Sequence, residues 1–290
     1  MVEDLVRPRG PFSLRQSCRL VNDQTRKFDG RILVGLFEVD GRLERGACWQ
    51  ETGGDVAFRA LSEGGLDRIK AMLPLEADHS EFLERFKDDR LLRAPIRELR
   101  GKRPLRLGTV THAVLRAICG QLIEAKRARN IELRLIRETC ATDGALYAPP
   151  TPKSFCDFAP AALQRLGLSA RKAATLVRVC RTIDVERLRQ VAPAGAAQRL
   201  RRERGLGPWS VGVIGVQGLG CYDFGMVGDL GLVKLCSALL GRRAEADDTA
   251  ELLAPYGEWQ GLASVYLLAG FGAGLLPVQY ERGPAGLLAA

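Results

Sequence analysis

The stretch Leu200–Asp229, LRRERGLGPWSVGVIGVQGLGCYDFGMVGD, predicts how the larger part of the chain folds. Its centre, Gly205–Pro208 (GLGP), separates a helix ending near Glu203 from a helix beginning at the proline, because proline fits the first helical turn. We therefore expect two helices joined by a tight hairpin at about residues 196–219. In such a turn, backbone N–H groups can point outward beside a helix N-terminus and bind a phosphate. A plain helix–helix turn that binds nothing fits the same pattern.

Asp229 closes this stretch, after the glycine-bearing apolar segment Phe224–Gly228 and before a predicted helix over Leu230–Leu240. Asp is among the best N-cap residues, so a purely structural role explains its position. A carboxylate that also opens into an apolar pocket is poorly screened and could stabilise a developing sugar cation. Both roles stay open, and residues 224–232 form the candidate catalytic segment.

The first 80 residues contain short runs of β-forming residues and one strong turn signal, Asp40-Gly41, a dipeptide typical of two-residue hairpins. A short helix is expected at residues 66–73. These features predict a small antiparallel sheet domain over residues 1–78. The runs that predict its strands are Leu14–Val21, Ile32–Val39 and Leu43–Gln50.

From residue 79 onward, apolar residues recur with helical spacing. Thr111–Arg137 predicts one long helix or two in sequence, with a cationic outer face. The terminal GPAGLLAA, residues 283–290, is expected to be a frayed tail. The sequence therefore predicts an α+β, mostly α, protein whose larger all-helical domain over 79–290 contains the hairpin. Shorter helices are expected at Ala161–Leu166, Ala170–Ile183, Val185–Val191 and Ala194–Glu203.

Basic residues outnumber acidic ones by 43 to 34, which gives a net charge of +9. The excess lies in residues 90–140, with 13 basic and 4 acidic side chains, and in residues 165–204, with 11 and 3. The remaining segments together are acidic. Two central segments therefore carry a positive field that suits a polyanion better than an acidic partner.

The composition argues against several other classes of protein. The eight cysteines never form a C-x-x-C pair, which argues against a zinc knuckle or an iron–sulfur cluster, and as free thiols they suit a reducing cytoplasm. The N-terminus lacks the apolar region of a secretory signal. The uncharged stretches Gly205–Tyr222 and Trp259–Tyr280 are rich in glycine, so we expect buried helices there and no membrane span. His79 and His112 have no partners at catalytic or metal spacing and are interpreted as structural or surface groups.

Four segments in sequence order resemble the helix-hairpin-helix DNA glycosylases with a Gly/Pro-rich loop and Asp, specifically the 3-methyladenine DNA glycosylase II branch. Together they span about residues 80–272. The opening GPFSLRQSCRL is more weakly similar to the family's N-terminal sheet domain. The resemblance implies a monomeric base excision repair enzyme that acts on damaged bases in double-stranded DNA. The four segments are Ala117–Leu122 (AICGQL), Leu166–Ala173 (LGLSARKA), Gly205–Trp209 (GLGPW) and Gly228–Leu232 (GDLGL).

The resemblance also implies roles for individual residues. Asp229 matches the Asp that stabilises the oxocarbenium-like sugar and helps water attack C1′. Gln121 and Leu122 match the wedge that fills the gap left by the flipped nucleotide, although a plain core leucine would also fit an amphipathic stripe. The hairpin would grip a phosphate next to the lesion, and its carbonyls would hold a structural Na⁺ or K⁺. The hairpin residues in question are Arg204, Gly205, Leu206 and Gly207.

Trp209 bears on the type of reaction. Family members that form a Schiff base and nick the strand have a lysine at this position, so the resemblance implies a monofunctional hydrolase that needs no catalytic cofactor or metal. The indole suits the wall of a base pocket, where it would attract a cationic alkylpurine, and a place in the protein core is the alternative. The other candidate pocket aromatics, each of which also fits a core position, are Tyr222, Phe224, Tyr266 and Phe271.

Two departures from the family pattern leave the substrate range open. Val213 stands where a relative has a second pocket aromatic, and Tyr256–Ala263 looks no closer to the alkylpurine branch than to the 8-oxoguanine branch. The alternatives are therefore an 8-oxoguanine-type glycosylase/lyase and a catalytically silent helix-hairpin-helix DNA-binding protein. The basic side chains that could flank a bent duplex are Arg93, Arg97, Arg100, Lys102, Arg103, Arg106, Arg116, Lys126, Arg127 and Arg129.

Overall fold

The computed structural model describes residues 1–19, 21 and 23–278 of the chain, so the predicted tail at 283–290 lies outside the described residues. A five-stranded antiparallel sheet occupies the N-terminal part, with the strand order β1-β5-β4-β3-β2. The remainder is helical, which confirms the predicted fold class. The strands are β1 (Val2–Val6), β2 (Arg26–Phe28), β3 (Ile32–Val39), β4 (Arg42–Gln50) and β5 (Val56–Ala60).

The predicted hairpin between β3 and β4 is confirmed. Val39 pairs with Arg42, and the two turn residues, Asp40 and Gly41, have φ values of 49° and 76°. Both residues are therefore left-handed, as a type I′ turn requires. The turn fixes the register that brings the apolar side chains of both strands to one face.

The prediction of a strand over Leu14–Val21 is wrong, since Leu14–Ser17 form a short helix, α1. The hydroxyl of Ser13 accepts a hydrogen bond from the Gln16 N–H and caps this helix. Leu14 and Cys18, one helical turn apart, are both buried against the sheet. The buried apolar residues of this run have helical spacing, although its composition of β-forming residues favours a strand.

Thirteen further α-helices follow in the described part of the chain. The run Thr111–Arg137 contains two helices, and the predicted helix near 185–191 is a 3₁₀ segment, Glu186–Gln190. A π-helical segment, Gly215–Leu219, extends the second helix of the hairpin. The helices are α2 (Glu63–Ala71), α3 (Ser80–Arg85), α4 (Arg93–Glu98), α5 (Val110–Gly120), α6 (Ala125–Thr139), α7 (Lys153–Cys156), α8 (Pro160–Arg165), α9 (Ala170–Thr182), α10 (Pro193–Arg201), α11 (Pro208–Ile214), α12 (Leu230–Leu240), α13 (Ala246–Leu253) and α14 (Gln260–Gly272).

Helix α5 lies at the centre of the helical part and packs against α6, α9 and α11. Nine of its eleven residues are buried, so it is surrounded on nearly all sides. A second apolar core lies between the sheet and α2. Within the described residues, no helix is both long and apolar enough to cross a membrane.

The chain returns to the sheet after α4. The guanidinium of Arg103 is buried and donates to the carbonyl oxygens of Pro74 at 2.7 Å and Pro11 at 3.1 Å, and also to that of Arg9. Leu105 belongs to the apolar core of the sheet. Residues beyond 100 therefore complete the N-terminal part, and the division of the chain at residue 79 stays a prediction.

A buried ion cluster joins the loop before β2 to helices α5 and α6. Arg116 of α5 donates to Glu132 at 2.8 Å and to Asp23 at 3.1 Å, and Asp23 also pairs with Arg26 at 3.0 Å. His112 lies 2.8 Å from the same Glu132 oxygen. Burial alone would raise the pKa of Glu132, but the charge of Arg116 and the contact with His112 outweigh it and lower the pKa to about 2.

The surroundings of three arginines and two histidines correct two sequence interpretations. Of the basic side chains predicted to flank DNA, Arg103 is buried, Arg116 pairs with Glu132 and Asp23, and Arg106 pairs with Glu76, so their charges are engaged within the protein. His112 and His79 are both buried, so the interpretation of either histidine as a surface group is wrong. His112 contacts the carboxylate of Glu132, which is twenty residues away and could not be identified as a partner from the residues around His112. Lys126 and Arg127, by contrast, are exposed on α6.

His79 predicts a pH dependence of stability. Neither of its ring nitrogens has a hydrogen-bond partner among the described residues, and burial lowers its pKa to about 3. Because the unfolded chain binds this proton near pH 6.5, stability should fall as the pH drops from about 7 to 5. In urea titrations, His79→Phe should show a smaller fall than the wild-type chain, while an equal fall would assign the effect to His112.

Candidate active site

The hairpin predicted at 196–219 is formed by α10, the turn at 202–207 and α11. Leu206 is 4% exposed and fills the space between the two helices. Gly205 has a φ of 95°, and a Cβ there would approach Thr175 Oγ1 to 2.7 Å, so glycine is required. Gly207 caps α11 and faces open space, and Arg204 is exposed on the turn. The entry to α11, at Gly207 and Pro208, therefore lies at an accessible surface.

The catalytic segment predicted at 224–232 packs tightly along α11. A Cβ at Gly212 would lie 2.3 Å from the Gly225 carbonyl oxygen, so the segment can approach the helix only because glycine is there. Ser264 of α14 accepts a hydrogen bond from the Met226 N–H at 3.1 Å, and Thr249 of α13 accepts one from Gly228 at 2.7 Å. Buried hydroxyls on two helices thus hold the backbone that leads into Asp229.

Asp229 has two hydrogen-bond donors, one for each carboxylate oxygen. Its Oδ1 accepts from the Gly231 N–H at 2.8 Å and caps α12, as the N-cap interpretation predicts. Its Oδ2 accepts from the indole N–H of Trp209 at 2.9 Å. Gly207 stands two residues before this tryptophan, so the hairpin turn and the carboxylate are connected through a single side chain.

Trp209 is partly buried, and its ring lies over Gly120 at the end of α5, where a Cβ would approach the indole to 2.5 Å. The side chain therefore touches both the end of α5 and the candidate catalytic carboxylate. Sequence reasoning predicted a ring in a pocket wall. It did not predict the hydrogen bond, because twenty residues and a loop separate the two partners.

Leu122 is 94% exposed and has a φ of 56°. The alternative of a plain core leucine is therefore wrong. Gln121 differs from its predicted place in the wedge, because its side-chain amide donates to the Gly205 carbonyl at 2.6 Å and to Ser210 Oγ at 3.0 Å. Its side chain thus points to the hairpin, and Leu122 alone projects.

Two of the other candidate pocket aromatics lie in the core. Tyr266 is fully buried, and its hydroxyl donates a shared hydrogen bond to the carbonyl oxygens of Leu99 and Lys102, both at 3.0 Å. Its ring therefore packs at the C-terminal end of α4. Tyr222 is buried edge-on against the ring of His79, with 4.9 Å between centroids. Burial raises the pKa of its phenol, whose hydroxyl has no partner among the described residues.

The remaining two aromatics lie on different elements, since Phe224 begins the predicted catalytic segment and Phe271 belongs to α14. The ring of Phe224 lies under the Arg201 guanidinium, 5.6 Å from its centroid, and faces α10. On α14, Leu268 contacts α12 at Gly231, two residues after Asp229. Phe271 follows Leu268 by one helical turn, so it lies on the same face of α14. Phe224 borders a surface cavity of about 360 Å³ that includes neither Asp229 nor Trp209 and is lined by Ala194, Ala197, Gln198, Arg201, Arg202 and Phe224.

Among the described residues, no group of three or more His, Cys, Asp or Glu side chains is placed to hold a metal ion. The hairpin offers neutral carbonyls: the Arg204 and Gly205 oxygens accept hydrogen bonds from Arg178 and Gln121. A carbonyl oxygen keeps a second lone pair for a cation. These oxygens carry no negative charge, and one of them already faces the Arg178 guanidinium, so a Na⁺ or K⁺ ion at the hairpin stays a prediction.

Replacement of Trp209 by Phe should separate its two contacts. The ring would remain over Gly120, but Asp229 would lose a charge-assisted hydrogen bond worth about 1.5 to 3 kcal/mol. For the base release that the sequence resemblance implies, we expect a fall of roughly tenfold or more, with affinity for duplex DNA unchanged. Single-turnover release and a binding titration on one preparation provide the measurement. An unchanged release rate would contradict the interpretation that the indole of Trp209 positions Asp229 for the reaction.

The chain is similar in sequence and in fold to known proteins. The DNA-3-methyladenine glycosylase of Bacillus subtilis (strain 168) is 24% identical over 210 residues, which is 69% of either chain. No family model matches the sequence.

Two solved structures show the same fold. The 3-methyladenine DNA glycosylase from Archaeoglobus fulgidus has a TM-score of 0.78 at 20% identity and covers 93% of this chain and 98% of its own. The Clostridium acetobutylicum 8-oxoguanine glycosylase/lyase in its apo-form has a TM-score of 0.70 at 16% identity, with coverages of 92% and 95%. This chain therefore has the fold of these two DNA glycosylases, and in sequence it is similar to the Bacillus subtilis enzyme.

Proposed function

We propose that the protein is a monofunctional DNA glycosylase that flips an alkylated purine out of duplex DNA and hydrolyses its N-glycosidic bond. The observation that carries the proposal is the pair Trp209–Asp229: a carboxylate held by an indole and a helix N-terminus, with no lysine at position 209. The same pair lies beside an accessible hairpin turn. Support also comes from the sequence similarity to the Bacillus subtilis glycosylase.

The expected chemistry needs little besides this carboxylate. A purine alkylated at N3 or N7 carries a positive charge, so it leaves as a neutral base with the electron pair of the C1′–N bond. The positive charge that develops on the sugar is stabilised by Asp229, and a water molecule then attacks C1′ and releases its proton. Fixed electrostatic stabilisation of this kind is often the largest single contribution to catalysis.

DNA is the proposed partner. The backbone amides at the start of α11 would bind a phosphate, and Leu122 would fill the space vacated by the flipped nucleotide. A Na⁺ or K⁺ ion at the hairpin carbonyls remains part of this proposal. We also propose that the chain acts as a monomer in the cytoplasm, in contact with the nucleoid.

One observation favours a second candidate. The fold is also that of an 8-oxoguanine glycosylase/lyase, and a structure of the Clostridium acetobutylicum enzyme with double-stranded DNA containing cytosine opposite 8-oxoG has a TM-score of 0.67. Position 213, one turn after Trp209 on α11, is a buried valine, so the second pocket aromatic expected of the alkylpurine branch is absent at this position.

A panel of duplexes with single lesions tests the proposal. We expect release of 3-methyladenine and 7-methylguanine, an intact strand after the reaction, and no covalent product with borohydride. Release of 8-oxoguanine with a trapped imine would favour the lyase. Binding of damaged duplex without release of any base would identify a silent DNA-binding protein.

A further inference from the structure

The backbone of Leu122 adopts a conformation that leucine rarely takes. A φ of 56° places this residue in the left-handed region, which costs a non-glycine residue about 1 to 2 kcal/mol. The 94% exposed side chain makes no packing contacts that could offset this cost. The neighbouring residues must therefore hold the conformation.

Gln121 is fixed on two sides. Its side-chain amide donates to two acceptors of the hairpin, the Gly205 carbonyl at 2.6 Å and the hydroxyl of Ser210, which is 1% exposed, at 3.0 Å. Its own carbonyl accepts from Lys172 Nζ at 2.7 Å, and the same ammonium group donates to the Cys119 carbonyl at 3.0 Å. The residue that precedes the exposed leucine is thus bound to α11 and to α9.

These contacts link two features that are distant in sequence. Gly205 lies in the turn that leads into α11, and Ser210 lies in the first turn of α11, so both acceptors move with the hairpin. The backbone continues from Gln121 directly into Leu122. A displacement of the hairpin would therefore be transmitted to the leucine through two hydrogen bonds.

We propose that Gln121 is a positioning residue that couples the hairpin to Leu122, so that phosphate binding and insertion of the leucine into the duplex occur together. The inference rests on the proposed function, because it needs a DNA duplex in which a nucleotide is displaced. Gln121 itself contacts neither the base nor the sugar in this proposal. Its effect is confined to double-stranded substrates, in which stacked base pairs must be opened.

The test uses a duplex with a tetrahydrofuran abasic analogue and 2-aminopurine at the neighbouring position. Insertion of Leu122 should unstack the 2-aminopurine and raise its fluorescence, whereas Leu122→Ala should give little rise. Gln121→Met keeps the length of the side chain and removes both donors. We expect it to reduce the rise at least threefold while the affinity for the duplex stays within threefold of the wild type.

Gln198→Met is the matched control, because Gln198 is exposed on α10 and lies in the same hairpin without contacting Gln121. It should behave like the wild type. Gln121→Asn, which keeps the amide but is too short to reach both acceptors, should behave like Gln121→Met and provides a second variant if methionine impairs folding. A full fluorescence rise in folded Gln121→Met or Gln121→Asn would overturn the inference.

Base release gives an independent readout. Gln121→Met should slow release from paired duplex roughly tenfold and leave release from single-stranded DNA unchanged. In a Leu122→Ala background it should have no further effect, since both changes would remove the same event. A further tenfold loss in that background would show that Gln121 acts elsewhere.

Failure of the proposed function can be recognised separately. A wild-type fluorescence rise that depends on Gln121 but is accompanied by no release of any base would refute the glycosylase chemistry and leave the coupling in place. Base release that does not depend on Gln121, with a full rise in the variants, would refute only the coupling.

Discussion

Asp229→Asn should lower single-turnover release of 3-methyladenine at least about 100-fold, since loss of one fixed electrostatic stabiliser typically costs about 3 kcal/mol of transition-state stabilisation. The fold should persist, because asparagine caps helices about as well as aspartate. One of the two donors, Gly231 N–H or Trp209 Nε1–H, will face the new amide NH₂, so we expect about 1 kcal/mol of lost stability. Binding to damaged duplex should be unchanged or tighter.

The control is Asp223→Asn, an exposed carboxylate six residues earlier in the same loop. It should release base at the wild-type rate. Thermal melting and a binding titration on the same preparations separate catalysis from folding and affinity. Release by folded Asp229→Asn within tenfold of the wild type would show that this residue is a helix cap and nothing more.

Glu132→Gln should cost the chain about 3 to 5 kcal/mol of folding free energy. The substitution leaves the largely buried Arg116 with one carboxylate partner in place of two, and removal of one partner from a buried ion pair is strongly destabilising. Urea unfolding at pH 7 measures the difference. Glu138→Gln, an exposed change on the same helix, should alter stability by less than about 0.5 kcal/mol.

The pH dependence should change in the same variant. The pKa of Glu132 is lowered in the folded chain to about 2, so its contribution is complete above about pH 4.5 and is lost as the pH falls toward 2. Glu132→Gln should therefore lie closer to the wild type at pH 3 than at pH 7. A loss of less than 1 kcal/mol at pH 7 would mean that the cluster contributes no net stability.

The sequence predicts those parts of the molecule that local chemistry determines. The Asp40-Gly41 turn needs two left-handed residues, and Pro208 needs the first turn of a helix, so both could be placed without coordinates. The cap at Asp229 follows from the same kind of rule. These features depend on neighbours within a few residues.

Features that depend on distant partners could not be predicted. The interior position of Arg116 follows from carboxylates at positions 23 and 132, and the direction of Gln121 follows from acceptors more than eighty residues away. The aromatic character of Tyr266 was visible, but its place in the core follows from two carbonyls at the end of α4. Periodicity identifies a buried face and leaves open which groups meet there.

The contacts of Arg103 have a consequence for how the chain tolerates change. Its guanidinium binds main-chain carbonyls of residues 9, 11 and 74, and every amino acid supplies such a carbonyl. Substitutions at these three positions can therefore accumulate without loss of the acceptors. Deletions that alter the path of the backbone cannot, because they would leave a buried cation without partners. We therefore expect the junction between the sheet and the helices to tolerate substitutions and not to tolerate changes in the length of the chain.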